Sequence, residues 1–269
     1  MGFKTGINAA IDGIPCLRRF KIVDSMTPAR AVCSSSGASE VLMAGNTDWR
    51  GVANAYGATP AQNPGGFFRF QGSTEDSGYD SGVNGAYVEM VRIYWNTEQA
   101  DLIYHELFFA GNKALIPGAI AVTDATTPGP VSAMGRTCII GSSTYNIRRA
   151  MLEIMCPPAA YNDSGTDGVT ARAAGNYKAR FQMDGYFSDY AALPTKGNRE
   201  SFSIQASDST NWLLDYLMIT EVETEVALAD EEGRAVGNAC KISGDWSGWN
   251  SGTKGKIVTP TGTYLYGSA

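Results

Sequence analysis

The chain has 269 residues, of which 43% are hydrophobic and 18% charged, with 31 glycines and a formal net charge of −6. That length holds one large domain or two ordinary ones and buries a core without disulfide staples. The acidic balance excludes a basic nucleic-acid binder, which needs a surplus of lysine and arginine to neutralise phosphates.

The glycine-rich, charge-poor mix suits a β-protein with many turns. No apolar run reaches the roughly 18 residues of a membrane-spanning helix, and MGFKTGINAAIDG at the N-terminus lacks the apolar core of a secretory signal. Cys16, Cys33, Cys138, Cys156 and Cys240 form no C-x-x-C motif; buried, reduced thiols are expected.

In chain order, GIPCLRRFKIV (13–23) sets an arginine pair inside an apolar run, and MTPARAVCSS (26–35) could carry a short helix. NTDWRG (46–51) is a tryptophan turn. AYVEMVRIYWN (86–96) alternates as a strand that is largely apolar on both faces, with Val88, Met90, Arg92 and Tyr94 on one of them. In the returning strand DLIYHELFF (101–109), Leu102, Tyr104, Glu106 and Phe108 share one face; Ile103, His105, Leu107 and Phe109 share the other. PGAIAVTDATTPGPVSAMG (117–135) is dense in breakers. STYNIRRAMLEIM (143–155) again suggests a short helix, and NWLLDYLMITEVETEVALADEEG (211–233) reads as a long strand, a short polar link and a return.

The second half echoes the first. Leu17-Arg18-Arg19 recurs as Ile147-Arg148-Arg149 at an offset of 130, and Gly45-Asn46 recurs as Gly175-Asn176 at the same offset. FFRFQGS (67–73) matches SFSIQAS (201–207) at an offset of 134. The expected fold is therefore mainly β: two tandem, similar β-sandwich or barrel domains, residues 1–129 and 130–269, each with a short flanking helix.

Chemical motifs are sparse. The one histidine, His105, has no H-E-x-x-H around it and no G-x-S-x-G elbow to serve, and no phosphate-binding glycine loop is present. Scattered carboxylates leave a glycosidase pair open. The acidic loops DSGYD (76–80) and DSGTD (163–167) are either solvated turns or calcium loops without the terminal glutamate of an EF-hand. Trp49 and Trp246, in two D-W-x-G turns, are either sheet-closing residues or stacking platforms for sugars. In TEVETEVAL (220–228), Glu221, Glu223 and Glu225 share one strand face. Such a ladder faces water, or it walls a pore that repels a passing polyanion.

The opening GFKTGINAAIDGIPCLRRFKI, the GNTDWRG turn and the run AYVEMVRIYWNTEQADLIYHELFFAG together resemble the tail tube, or major tail, proteins of long-tailed phages. The resemblance implies a virion structural protein rather than an enzyme, with no cofactor, metal or membrane. It implies subunits whose inner sheets join into rings, and rings that stack into a tube for DNA passage. Partners would be other copies, as a hexamer or as a pseudo-sixfold trimer if the tube domain is duplicated, and other tail proteins. Its place would be the virion tail, assembled in the host cytoplasm. Glu221, Glu223 and Glu225 would then be candidates to face the lumen, and Asp76, Tyr79, Asp80, Asp163 and Asp167 candidates for contacts between rings. A capsid decoration protein, a tail hub and a carbohydrate-binding or adhesin module are the alternatives.

Overall fold

A computed structural model describes residues 10–11, 13–32, 40–43, 45–73, 78–97, 102–118, 130–162, 168–187, 192–225 and 238–267. Eleven strands carry the architecture: β1 (Leu17–Met26), β2 (Thr47–Tyr56), β3 (Phe67–Phe68), β4 (Ala86–Asn96), β5 (Leu102–Gly111), β6 (Thr137–Ile140), β7 (Ser143–Met155), β8 (Lys178–Tyr186), β9 (Arg199–Gln205), β10 (Asn211–Glu225) and β11 (Ala239–Trp246). The main sheet runs β6-β9-β10-β11-β8-β7-β4-β5-β2-β1, with β3 also on β4. Because β6 pairs with β7 as well as with β9, strands β6 to β11 close into a six-stranded barrel. A separate four-stranded sheet joins Ala10–Ile11, Gln71–Ser73, Gly78–Asp80 and Ile116–Gly118.

No α-helix occurs among the described residues, which corrects both expected helices. Residues 143–155 form β7, in which Tyr145 and Ile147, then Ala150, Leu152 and Ile154, are buried at alternate positions. The pattern changes phase at a bulge beside Arg148. Backbone pairing with β4 on one side and β8 on the other outweighs the helix preference of Arg, Ala, Met, Leu and Glu. Ala29–Val32 is a strand paired with Glu40–Met43; Cys33 lies outside the described residues. The expected return after 211–225 is also displaced. No glycine or proline interrupts that stretch, so it continues as one 15-residue strand, and the return is β11.

Two sets of strands have the same pairing geometry. The order β3-β4-β5-β2-β1 is matched by β9-β10-β11-β8-β7. Leu17 opposes Ala55 and Arg19 opposes Asn54, with a bulge between; Ile147 opposes Gly185 and Arg149 opposes Asp184, with a bulge between. Both strands of that pair keep the offset of 130 at each of these rungs. On β4–β5 a register shift separates Phe108↔Met90 from Phe109↔Val88. On β10–β11 the same shift separates Ser243↔Glu221 from Gly244↔Ile219, at offsets of 135 for β11 and 131 for β10. Phe67↔Tyr87 corresponds to Arg199↔Met218, so β3 and β9 are offset by 132, not the 134 of the FFRFQGS/SFSIQAS match.

One apolar core runs through both sets. Trp49, Trp95 and Trp212 are fully buried, and each satisfies its indole N–H on a backbone carbonyl. Trp49 donates to Lys113 O (2.7 Å), Trp95 to Gln205 O (2.8 Å) and Trp212 to Ala58 O (2.8 Å). The last two tie the N-terminal strands to the C-terminal ones. Gly111 is required beside Trp49, because a β-carbon there would stand 2.2 Å from the indole nitrogen.

β5 alternates as the sequence predicts: Ile103, His105, Leu107 and Phe109 face the core. His105 is buried, and its Nδ1–H donates to Gly57 O at 2.8 Å in the neutral tautomer. Burial pulls its pKa below the ordinary histidine value, against the opposing pull of the Gly57 bond. A depressed value means stability is full above about pH 6.5 and declines as pH falls through the folded-state pKa. Since the chain has one histidine, His105→Gln should be less stable at pH 7 yet lose this component of the decline. Urea titrations at pH 7 and pH 5 check this.

Candidate functional site

The sheet face opposite the core mixes methionines and aromatic residues with a cross-strand row of charge. In it Arg19, Asn54, Glu106, Arg92, Glu153, Arg180 and Asp245 stand directly opposite one another on successive strands from β1 to β11. At about 4.8 Å per strand the row is about 29 Å long. Asn54 Nδ2 donates to Glu106 Oε1 at 2.9 Å, and Arg92 Nη1 lies 3.7 Å from Glu106 Oε2. Arg92 Nε donates to Glu153 Oε2 at 2.7 Å, and Arg180 Nε to Asp245 Oδ1 at 3.0 Å.

The centre of the row is shielded and its end is wet. The side chains of Glu153 and Glu106 are 10% and 17% exposed, those of Arg180 and Asp245 54% and 45%. Burial weakens the charged form of Arg92, but the Glu153 and Tyr94 bonds outweigh it and raise its pKa. Beside this row runs a tyrosine row. Tyr94 stacks on Tyr104 at 4.7 Å, and the Arg18 guanidinium lies over the rings of Tyr56 and Tyr104.

A groove of about 510 Å³ opens on the same face, lined by Tyr94, Tyr104, Arg149, Asp184, Glu221, Glu223 and Lys241 among others. Glu221, Glu223 and Glu225 are all exposed at the end of β10, opposite Ser243, Lys241 and Ala239. Glu223 meets Lys241 at 3.2 Å with both side chains about 60% exposed, a pair worth at most about 1 kcal/mol. Two of the three glutamates thus border the groove, and one is neutralised by a neighbour.

The loop candidates separate. Asp76, Asp163 and Asp167 lie outside the described residues. Tyr79 is 40% exposed, opposite Gly72 and Pro117 in the small sheet. Asp80 is held in place: both its oxygens face the Arg69 guanidinium, while Gln71 and the Gly82 N–H also donate to it. The Arg69 bond, partly opposed by burial, lowers its pKa to about 2. No group of three His, Cys, Asp or Glu suited to a metal occurs among the described residues.

Trp49 is a core residue; Trp246 is half-buried against Tyr266 at 5.1 Å. Cys138, Cys156 and Cys240 are buried free thiols, and burial pushes Cys240 up to about 11, away from thiolate chemistry.

Sequence reasoning placed Arg92 and Glu106 on their strand faces but missed the row they belong to. Its members lie far apart in the chain, and only the pairing register brings them together. No family model matches the chain, and no curated protein matches its sequence.

Glu153→Ala leaves Arg92 shielded and short of a partner, and should cost about 2–3 kcal/mol. Arg180→Ala, at the wet end, should cost under about 1 kcal/mol; chemical denaturation compares them. Asp80→Asn should lower the melting temperature by about 2 °C at pH 7. Because Asp80 has a lowered pKa, its contribution is present above about pH 4 and lost as pH falls through about 2. Thermal scans of the variant and wild type should therefore converge toward pH 2.

Proposed function

We propose that this chain is a virion structural protein, the tail tube protein of a long-tailed phage, whose copies join edge to edge into rings that stack around a lumen for DNA. The observation that carries the reading is the matched pairing of β1–β5 with β7–β11, down to the position of both bulges. It supports a tandem duplication in which residues 1–129 and 130–269 are two copies of one β-unit. Bulges are specific local features, so two of them recurring at equivalent rungs is poorly explained by a shared taste for antiparallel strands.

The long strands of the two units meet at one pair, β4 with β7, beside short pairings of Val131–Ser132 with β5 and of Thr47 with Val169. A unit that joins its neighbour by a strand edge suits assembly into a closed circle of sheets, which leaves no edge open. With two units per chain, three chains give a pseudo-sixfold ring; a ring of six chains is the other arrangement. The exposed glutamates of β10 and the net charge of −6 fit a wall past which DNA slides without adhering. The DSGYD and DSGTD loops would contact the next ring and other tail proteins. This role needs no catalysis, cofactor or metal.

Negative-stain electron microscopy of the purified, concentrated chain should show rings or tubes with a central hole. A protein that stays monomeric by light scattering at the same concentration contradicts the reading.

A further inference from the structure

Two edges of the long strands in the main sheet have no partner among the described residues. One is the outer edge of β1, which ends the main sheet. The other is the edge of β10 beyond Ile219. There β9 covers residues 211–218, and the last backbone bonds are Gly197 N–H to Ile219 O and Ile219 N–H to Asn198 O.

In the matched geometry β1 is the counterpart of β7, and β10 that of β4. Those counterparts are the two strands that meet inside the chain, where residues 149–155 of β7 pair with residues 90–96 of β4. The two open edges are therefore the same two edges, left without each other.

Exposure agrees. Phe20 and Ile22 are half-buried where their counterparts Ala150 and Leu152 are buried, and Val23 is 50% exposed where Glu153 is 7%. Glu221, Glu223 and Glu225 are exposed where Met90, Arg92 and Tyr94 are half-buried.

We infer that the free edge of β1 in one copy of this chain pairs antiparallel with residues 220–225 of β10 in a second copy, in the register that β7 takes on β4. Replacing each β7 residue by its β1 counterpart, and each β4 residue by its β10 counterpart, fixes the rungs. Lys21 stands opposite Glu225, Ile22 opposite Thr224, Val23 opposite Glu223, Asp24 opposite Val222 and Ser25 opposite Glu221. The internal bond from Cys156 N–H to Glu89 O becomes one from Met26 N–H to Thr220 O.

The charges fit this partner. Lys21 meets Glu225 across the joint and Glu223 on the diagonal, and no like charges oppose each other on these rungs. The two edges differ, so the contact is heterologous and each copy offers one of each, which closes a ring or extends a filament. That such contacts close rings rests on the reading above; the register rests on the pairing geometry alone.

Cysteine cross-linking tests it. Val23→Cys/Glu223→Cys in the full chain, oxidised and run on a non-reducing gel, should give dimers and higher multimers. Each single variant reports any capture by native thiols. The displaced pair Ser25→Cys/Glu225→Cys, well out of register and beyond disulfide reach, should give at least about tenfold less. Lys21→Glu should weaken self-association about tenfold, and Lys21→Glu/Glu225→Lys should restore it; both positions are exposed, so folding is spared.

Rings by microscopy with no in-register cross-link, or with equal yield from the displaced pair, would overturn this interface and leave the ring reading standing. In-register multimers that never stack would support the interface and sink the tube. Absence of multimers at any concentration would end both.

Discussion

The pairing of β4 with β7 is the contact on which the rest of the structure depends. β7 is shared: residues 143–146 hydrogen-bond to β6 and close the barrel, while residues 149–155 turn outward to β4. β4 is shared in the same way, with residues 86–87 on β3 and residues 90–96 on β7. Each strand is bordered over its whole length only because two partners divide it. Removing the joint would expose two rows of backbone donors and acceptors and open the core at Trp95, whose indole is satisfied by Gln205 O from the far side.

The ion pair at the centre of that joint decides its register more than its strength. A one-residue slip of β7 on β4 would turn every buried side chain outward. A two-residue slip keeps the faces but sets Glu153 opposite Met90 or Tyr94 and leaves Arg92 opposite a methionine. The two shielded charges would then lose each other, with Arg92 keeping only its longer contact to Glu106, at a cost of a few kcal/mol. The row from Arg19 to Asp245 extends the same rule across seven strands, with opposite signs meeting at most of its rungs. The bond from Tyr94 Oη to Glu106 Oε2 at 3.1 Å ties it to the tyrosine row.

Local patterns were legible in the sequence where one strand's own periodicity decides them. The alternation of DLIYHELFF separated the two faces of β5 and set His105 with Ile103, Leu107 and Phe109, the face that the fold buries, and TEVETE named the wet face of β10. The two Leu/Ile-Arg-Arg sites, noted as a repeated pair, turn out to be the two equivalent bulges, where Arg18 and Arg148 have no rung opposite. What the sequence hid is non-local. STYNIRRAMLEIM looked helical because its residues favour helices, and nothing within it reveals that β4 and β8 lie on either side. The charge row was hidden for the same reason, since its seven members come from seven strands. The acidic loops were named as like turns, yet Asp80 is committed to Arg69, just ahead of the neighbouring strand Gln71–Ser73.

Amide hydrogen exchange, compared between dilute and concentrated protein, tests most directly the claim that chains meet as the two units do. The account predicts that residues 19–26 and 220–225 gain protection on association, while residues 90–96 and 149–155 are protected throughout. Association that leaves the first two segments unchanged, or their full protection already in the dilute monomer, would contradict it.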